Sequence, residues 1–182
     1  GLEQLHAGIG PTFYGGTQFF NDVVKGTRTF TDKNYVASLQ AVKDLVPYMP
    51  ATPAGVDYNT ARGLFANEKA AFYIGGNYEI SYFRSLNPSL NVAWMPAPAA
   101  APGAKRYATS WADGGFAINA KTKAKPEAIK FLNFLASKDF NQAAADQLGW
   151  ISTAPYIKIT DPAIAKMSKS LASQGTPFLN VV

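Results

Sequence analysis

The chain has no cysteine, which excludes disulfides, thiol nucleophiles and cysteine-bound metals outright. That suits an exported protein and proves no compartment. It has one histidine, His6, so a Ser-His-Asp relay or a histidine metal cluster lacks parts. No apolar run approaches the roughly 20 residues of a membrane span, and no Walker loop or dinucleotide fingerprint occurs. The opening GLEQLHAGIG has neither the basic start nor the long apolar core of a secretory signal. No two tyrosines are adjacent, so the tyrosine pair expected of a ferric-ion receptor is missing.

Arginine is also sparse, at 28, 62, 84 and 106 only, and this decides how the net charge of +5 is read. Between residues 121 and 170 eight lysines stand against four acids, spread along predicted helices with no arginine-rich stripe or basic-aromatic motif. Solvated helix faces account for that excess better than a nucleic-acid partner. A basic patch that steers docking is the weaker reading.

What the chain does have is enough apolar content, 47% of 182 residues, to bury a full core. Asp32 can cap a helix carrying Tyr35, Leu39, Val42 and Val46 at helical spacing, ending before Pro47. Pro126 opens a helix with Ile129, Leu132 and Leu135 on one side and Phe131 and Phe134 on another. Such a helix needs packing on more than one side, from a second body or from deep burial in its own domain. Asp139 starts a helix that stops at Gly149, and Asp161-Pro162 starts a last one carrying Ile164, Met167 and Leu171, closed by Gly175. Residues 91–95 read as a strand, followed by an extended proline-alanine connector. Alternating helices and short strands give the fold class α/β.

The most informative stretch is ARGLFANEKAAFYIGG, 61–76. Asp57 can cap an amphipathic helix with Ala61, Leu64 and Phe65 on one face, and 70–74 then reads as a short apolar strand ending in Gly75-Gly76. A glycine pair lets backbone approach a ligand closely, and polar or aromatic groups at such a strand end are where open α/β sheets bind small molecules.

FANEKAAFYIGGNYE resembles the signature of the family 1 extracellular solute-binding proteins of ABC transporters, with Glu68 in place of the usual turn glycine. Four further pieces fit in the same order: FTDKNYVASLQAVKDL at 30–45, NVAWMPAPA at 91–99, GGFAINAKTKAKPEAIKFLNFLAS at 114–137 and LGWISTAP at 148–155. The resemblance implies a type II periplasmic-binding-protein fold in two lobes, with this chain as a C-terminal-lobe fragment. Residues 1–112 and 148–182 would then form that lobe, while 113–147 would be a strand-helix segment returning to a missing N-terminal lobe. It further implies capture of a sugar or oligosaccharide in an interlobe cleft, with no cofactor and no chemistry, and delivery to permease subunits. The location implied is extracellular or periplasmic, with a lipid anchor as an option.

A sugar ring stacks its C–H face on an aromatic plane and needs hydrogen-bonding groups at its rim. Tyr78 matches the family's stacking aromatic, with Asn77 and Glu79 beside it. Glu79 reads either as a hydroxyl acceptor or as a favourable charge at a helix N-terminus. In TSWADGG, Trp111 is a ligand platform or interlobe packing, and Asp113 is a hydroxyl acceptor or an Asp-Gly turn leading into Gly114. Trp150 lies where the family chain crosses back between lobes, or closes a core beneath a helix end. Tyr14, before Gly15-Gly16, matches a region that forms aromatic walls in relatives. Two other classes stand beside this reading. One is a carbohydrate-active enzyme using Glu79 and Asp113, the only carboxylate pair to nominate. The other is a receptor for an anionic solute held by Lys105 and Arg106, which equally read as solvated loop charges.

Overall fold

Four helices begin on a side-chain oxygen that accepts from their own first-turn N–H groups, the arrangement that satisfies donors left without an intrahelical partner. Asp32 caps Lys33–Asp44, Asp57 caps Tyr58–Ala66, Ser137 caps Lys138–Leu148 and Asp161 caps Pro162–Gln174. The computed structural model describes residues 2–111 and 114–177. In chain order the helices are α1 (Leu2–Tyr14), α2 (Thr17–Val24), α3 (Lys33–Asp44), α4 (Tyr58–Ala66), α5 (Glu79–Leu86), α6 (Lys125–Leu135), α7 (Lys138–Leu148) and α8 (Pro162–Gln174). Two 3-10 turns, Val46–Tyr48 and Pro53–Gly55, fill the proline-rich link between α3 and α4. The helix expected to start at Asp139 starts one residue earlier. The Ser137 hydroxyl takes the Phe140 N–H at 3.2 Å, which leaves Asp139 in the first turn.

The sheet is smaller than expected. Strands β1 (Ala108–Ser110) and β2 (Gly175–Pro177) pair in parallel, with Thr109 opposite Thr176, and lie against α1 and α8. Parallel pairing fits an α/β reading, but helices dominate the described residues. The strands expected at 70–74 and 91–95 do not form, and residues 114–119 are likewise irregular. A strand requires a neighbour to complete its ladder as well as an apolar run, and within 70–74 Phe72 is 78% exposed. Here 70–74 is flanked by helices: Tyr73 packs on Phe65 and Phe83, and Ile74 lies against Gly8 of α1. Residues Val92 and Trp94 pack side-on against a helical core in place of pairing.

Two cores result. In the first, α1 lies along α3, with Phe19 and Tyr35 stacked at 5.4 Å between centroids and both touching the Tyr14 and Phe30 rings. In the second, Ile80 of α5 meets Ala163, Ile164 and Met167 of α8 beneath Trp94, Ile151 and Ile159. An ion pair between Arg84 and Asp161 ties the same two helices at their edge. By contrast, α6 buries no residue among those described, and its packing neighbour is α7.

Candidate functional site

Four of the nominated residues, Asn77, Tyr78, Glu79 and Trp150, lie on two segments joined by a hydrogen bond, 75–79 and 149–150. Helix α7 stops at Gly149 in the left-handed conformation, φ 69°. That φ favours glycine, and a Cβ there would also press on Ile164 at 2.9 Å and Ser81 at 3.3 Å. The Gly149 carbonyl accepts a hydrogen bond from the Asn77 side-chain amide. One bond therefore joins the loop that carries Tyr78 to the turn that carries Trp150. Asn77 and Tyr78 are half-buried, and Trp150 is 41% exposed while meeting Phe140 edge-on.

The glycine pair is used differently from the expectation. A Cβ on Gly75 would collide with the Tyr73 ring, and one on Gly76 with the Tyr78 ring. The close approach is made by the chain's own aromatics, which fold back over the two residues. Tyr73 is fixed in turn by Phe65 and Phe83, at 5.8 and 5.0 Å between centroids. The Gly76 carbonyl accepts from the Glu79 N–H at 3.1 Å, closing the turn into α5.

Glu79 neither lies at the surface nor acts only as a helix-end charge. It is 1% exposed. Its Oε2 lies 2.8 Å from the Arg62 Nε in an ion pair whose N–H is not aimed along the contact, and its Oε1 accepts from the Tyr58 hydroxyl and, at 3.4 Å, from Tyr73. The Arg62 guanidinium stands 3.1 Å over the Tyr82 ring and 4.8 Å from the Tyr58 centroid. Burial pushes the Tyr58 and Tyr73 hydroxyls above the usual phenol range, and the neighbouring Glu79 carboxylate adds to both shifts. The sequence reading missed Arg62, Tyr58 and Tyr73. The signal available was an arginine beside the apolar positions 61, 64 and 65, with a tyrosine four residues before it.

The remaining nominees lie on other segments of the chain or outside the described residues. Tyr14 is 3% exposed in the first core, so it closes that core and forms no surface wall. Trp111 directly follows β1 and is half-buried, and Gly114 is exposed with φ 72°. Asp113 lies outside the described residues. Lys105 and Arg106 are exposed, with the Lys105 ammonium 4.9 Å from the Tyr107 ring centroid. Among the described residues no group of three His, Asp or Glu side chains is placed to hold a metal, and no helix is long and apolar enough to cross a membrane.

Residues 5–142 match the family of bacterial extracellular solute-binding proteins. The chain belongs to that family. No curated protein matches it in sequence. Among solved structures it is similar to a sugar transporter protein of Bacillus licheniformis determined in complex with stachyose. The TM-score is 0.73 at 16% identity, over 98% of this chain and 47% of that one. The likeness shows a shared fold, and the chain spans about half the length of that protein.

Proposed function

We propose that the chain is the C-terminal lobe of a two-lobed receptor that captures a sugar or oligosaccharide and delivers it to the permease subunits of an ABC importer. In this reading residues 1–112 and 148–182 belong to that lobe, and 113–147 pack with an N-terminal lobe outside these residues. The receptor works outside the cytoplasmic membrane. A lipid anchor there is part of the same proposal. The observation that carries it is the Asn77–Gly149 bond, which sets Tyr78 beside the turn that leads to Trp150 in a family of solute receptors. Tyr78 then stacks on a sugar ring, with Asn77, Trp150, Trp111, Asp113 and Gly114 as further wall and rim residues. A sugar that touches both lobes favours the closed form through its greater affinity for that state. The stachyose held by the similar sugar transporter protein supports the choice of ligand class.

The glycosidase alternative loses support at Glu79, whose buried carboxylate is engaged by Arg62 and two hydroxyls. Calorimetric titration of the two-lobed protein with stachyose and other oligosaccharides tests the proposal. Tyr78→Ala is expected to weaken binding by roughly tenfold or more, the loss of about 1.4 kcal/mol or more. The isolated 182 residues, with one wall of the cleft, are expected to bind far more weakly than the whole. Unchanged affinity in both experiments would refute the reading.

A further inference from the structure

We infer that Glu79 is a positioning residue for the Tyr78 ring, acting through the backbone of the loop and not by touching a ligand. This rests on the proposal that Tyr78 is the sugar platform. Three separate elements meet at one buried carboxylate: Arg62 and Tyr58 from α4, Tyr73 from the segment entering the glycine pair, and the first turn of α5, to which Glu79 itself belongs. At 1% exposure, with Oε1 taking two hydroxyls and Oε2 facing a guanidinium, the carboxylate has no free edge for a sugar.

The cluster is also held from behind. Arg62 is pressed between α4 and the Tyr82 ring on α5, so it cannot swing away without unstacking. A buried pair of this kind returns little net stability, because desolvation offsets much of the attraction; its loss on one side alone is costly. What the pair does fix is the rotation of the first α5 turn relative to α4. Tyr78 is the residue immediately before that turn, with its ring folded over Gly76, so a shift of the turn carries the ring with it. On the other side Asn77 is tied to Gly149. The platform is thereby held at both ends.

A double-mutant cycle in the two-lobed protein tests this, with affinity read by calorimetry. The probe is stachyose, or whichever oligosaccharide of a panel the unsubstituted protein binds more tightly. Glu79→Gln, which keeps an acceptor and removes the charge, is expected to weaken binding between about threefold and a hundredfold, and to add nothing once Tyr78 is Ala. Tyr58→Phe removes one hydroxyl without stranding a charge and carries the same cycle should Glu79→Gln fail to fold. Hydrogen exchange of amides 76–79 is expected to quicken while that of α8 stays unchanged. Additive losses in the cycle, or exchange that quickens equally in α8, would mark Glu79 as a general stabiliser and overturn the inference. Unchanged affinity in Tyr78→Ala alone, or no binding of any oligosaccharide by the unsubstituted protein, would overturn the sugar-platform proposal and the inference with it.

Discussion

The α1–α3 region and helix α6 are both rich in large apolar side chains, and only the first of them buries any. Phe19 is fully buried and Tyr14 is 3% exposed, each ringed by other aromatics, while Ile129, Phe131 and Phe134 on α6 are 43%, 56% and 54% exposed. The first region packs the Phe19 and Tyr14 rings within these residues, while Phe30, Val36 and Leu39 at its edge are 52%, 50% and 47% exposed. The second makes a ring contact across to α7, between Phe134 and Phe140 at 5.5 Å, and half-buries Leu132 and Leu135 while its other large apolar side chains stay exposed. Apolar periodicity therefore identified a face in both places, but burial depends on which neighbours are present. Under the two-lobe proposal, a second lobe supplies the missing neighbour.

The largest expected effect tests the buried side of this contrast. Phe19→Ala removes the ring at the centre of the first core and is expected to cost about 3–5 kcal/mol in denaturant unfolding. On the open side, Phe131→Ala in the 182-residue chain is expected to change stability by no more than about 0.5 kcal/mol. In the two-lobed protein the same change is expected to cost about 1–3 kcal/mol, because the ring is then covered. Equal costs of Phe131→Ala in the short and long forms would break the comparison and remove the case for a lobe seated on α6.

Sequence made the helices legible because their ends are local chemistry. The caps Asp32, Asp57 and Asp161, the stop at Gly149 and the proline opening α6 all use groups within a turn of one another. The strands were not legible in the same way. Residues 70–74 and 91–95 have strand composition, yet their surroundings are helices, and the real ladder pairs residues 108–110 with 175–177, more than sixty positions on. At the candidate site the glycine pair pointed to the loop that carries Asn77 and Tyr78, although its glycines lie against the chain's own rings. The Arg62–Glu79 pair was not, since residues seventeen apart in sequence meet only when α4 packs on α5.

The join between α5 and α8 offers a smaller test within the second core. The Asp161 carboxylate accepts from Ala163 and Ile164 N–H groups at 2.9 and 3.0 Å and pairs with Arg84. Burial works against its ionised form, but these donors outweigh it and hold the carboxyl below its ordinary range. Asp161→Ala is expected to cost about 1–2 kcal/mol by thermal unfolding, nearly all from the lost cap. Arg84 is 40% exposed, so the ion pair adds little. Arg84→Ala as destabilising as Asp161→Ala would reverse that apportionment.

The smallest effect is a pH dependence that belongs to the α1–α3 core. Ser38 is fully buried, and its hydroxyl lies 2.6 Å from the Tyr35 carbonyl, to which it donates, and 2.8 Å from the His6 Nε2, with which it shares a hydrogen bond. The ring also lies near the aromatic rings of Tyr14 and Tyr35. Burial lowers the His6 pKa from its ordinary value of 6.5. As pH falls below that value the unfolded chain takes up a proton before the folded one does, so the stability His6 contributes is complete above it and is lost as pH falls through the lowered folded value. Melting temperatures taken from pH 7.5 down to 5 are expected to decline more steeply for the natural chain than for His6→Gln, which keeps a hydrogen-bonding group toward Ser38 and cannot titrate. Parallel pH profiles would show that His6 ionises as freely in the folded chain as in the unfolded one.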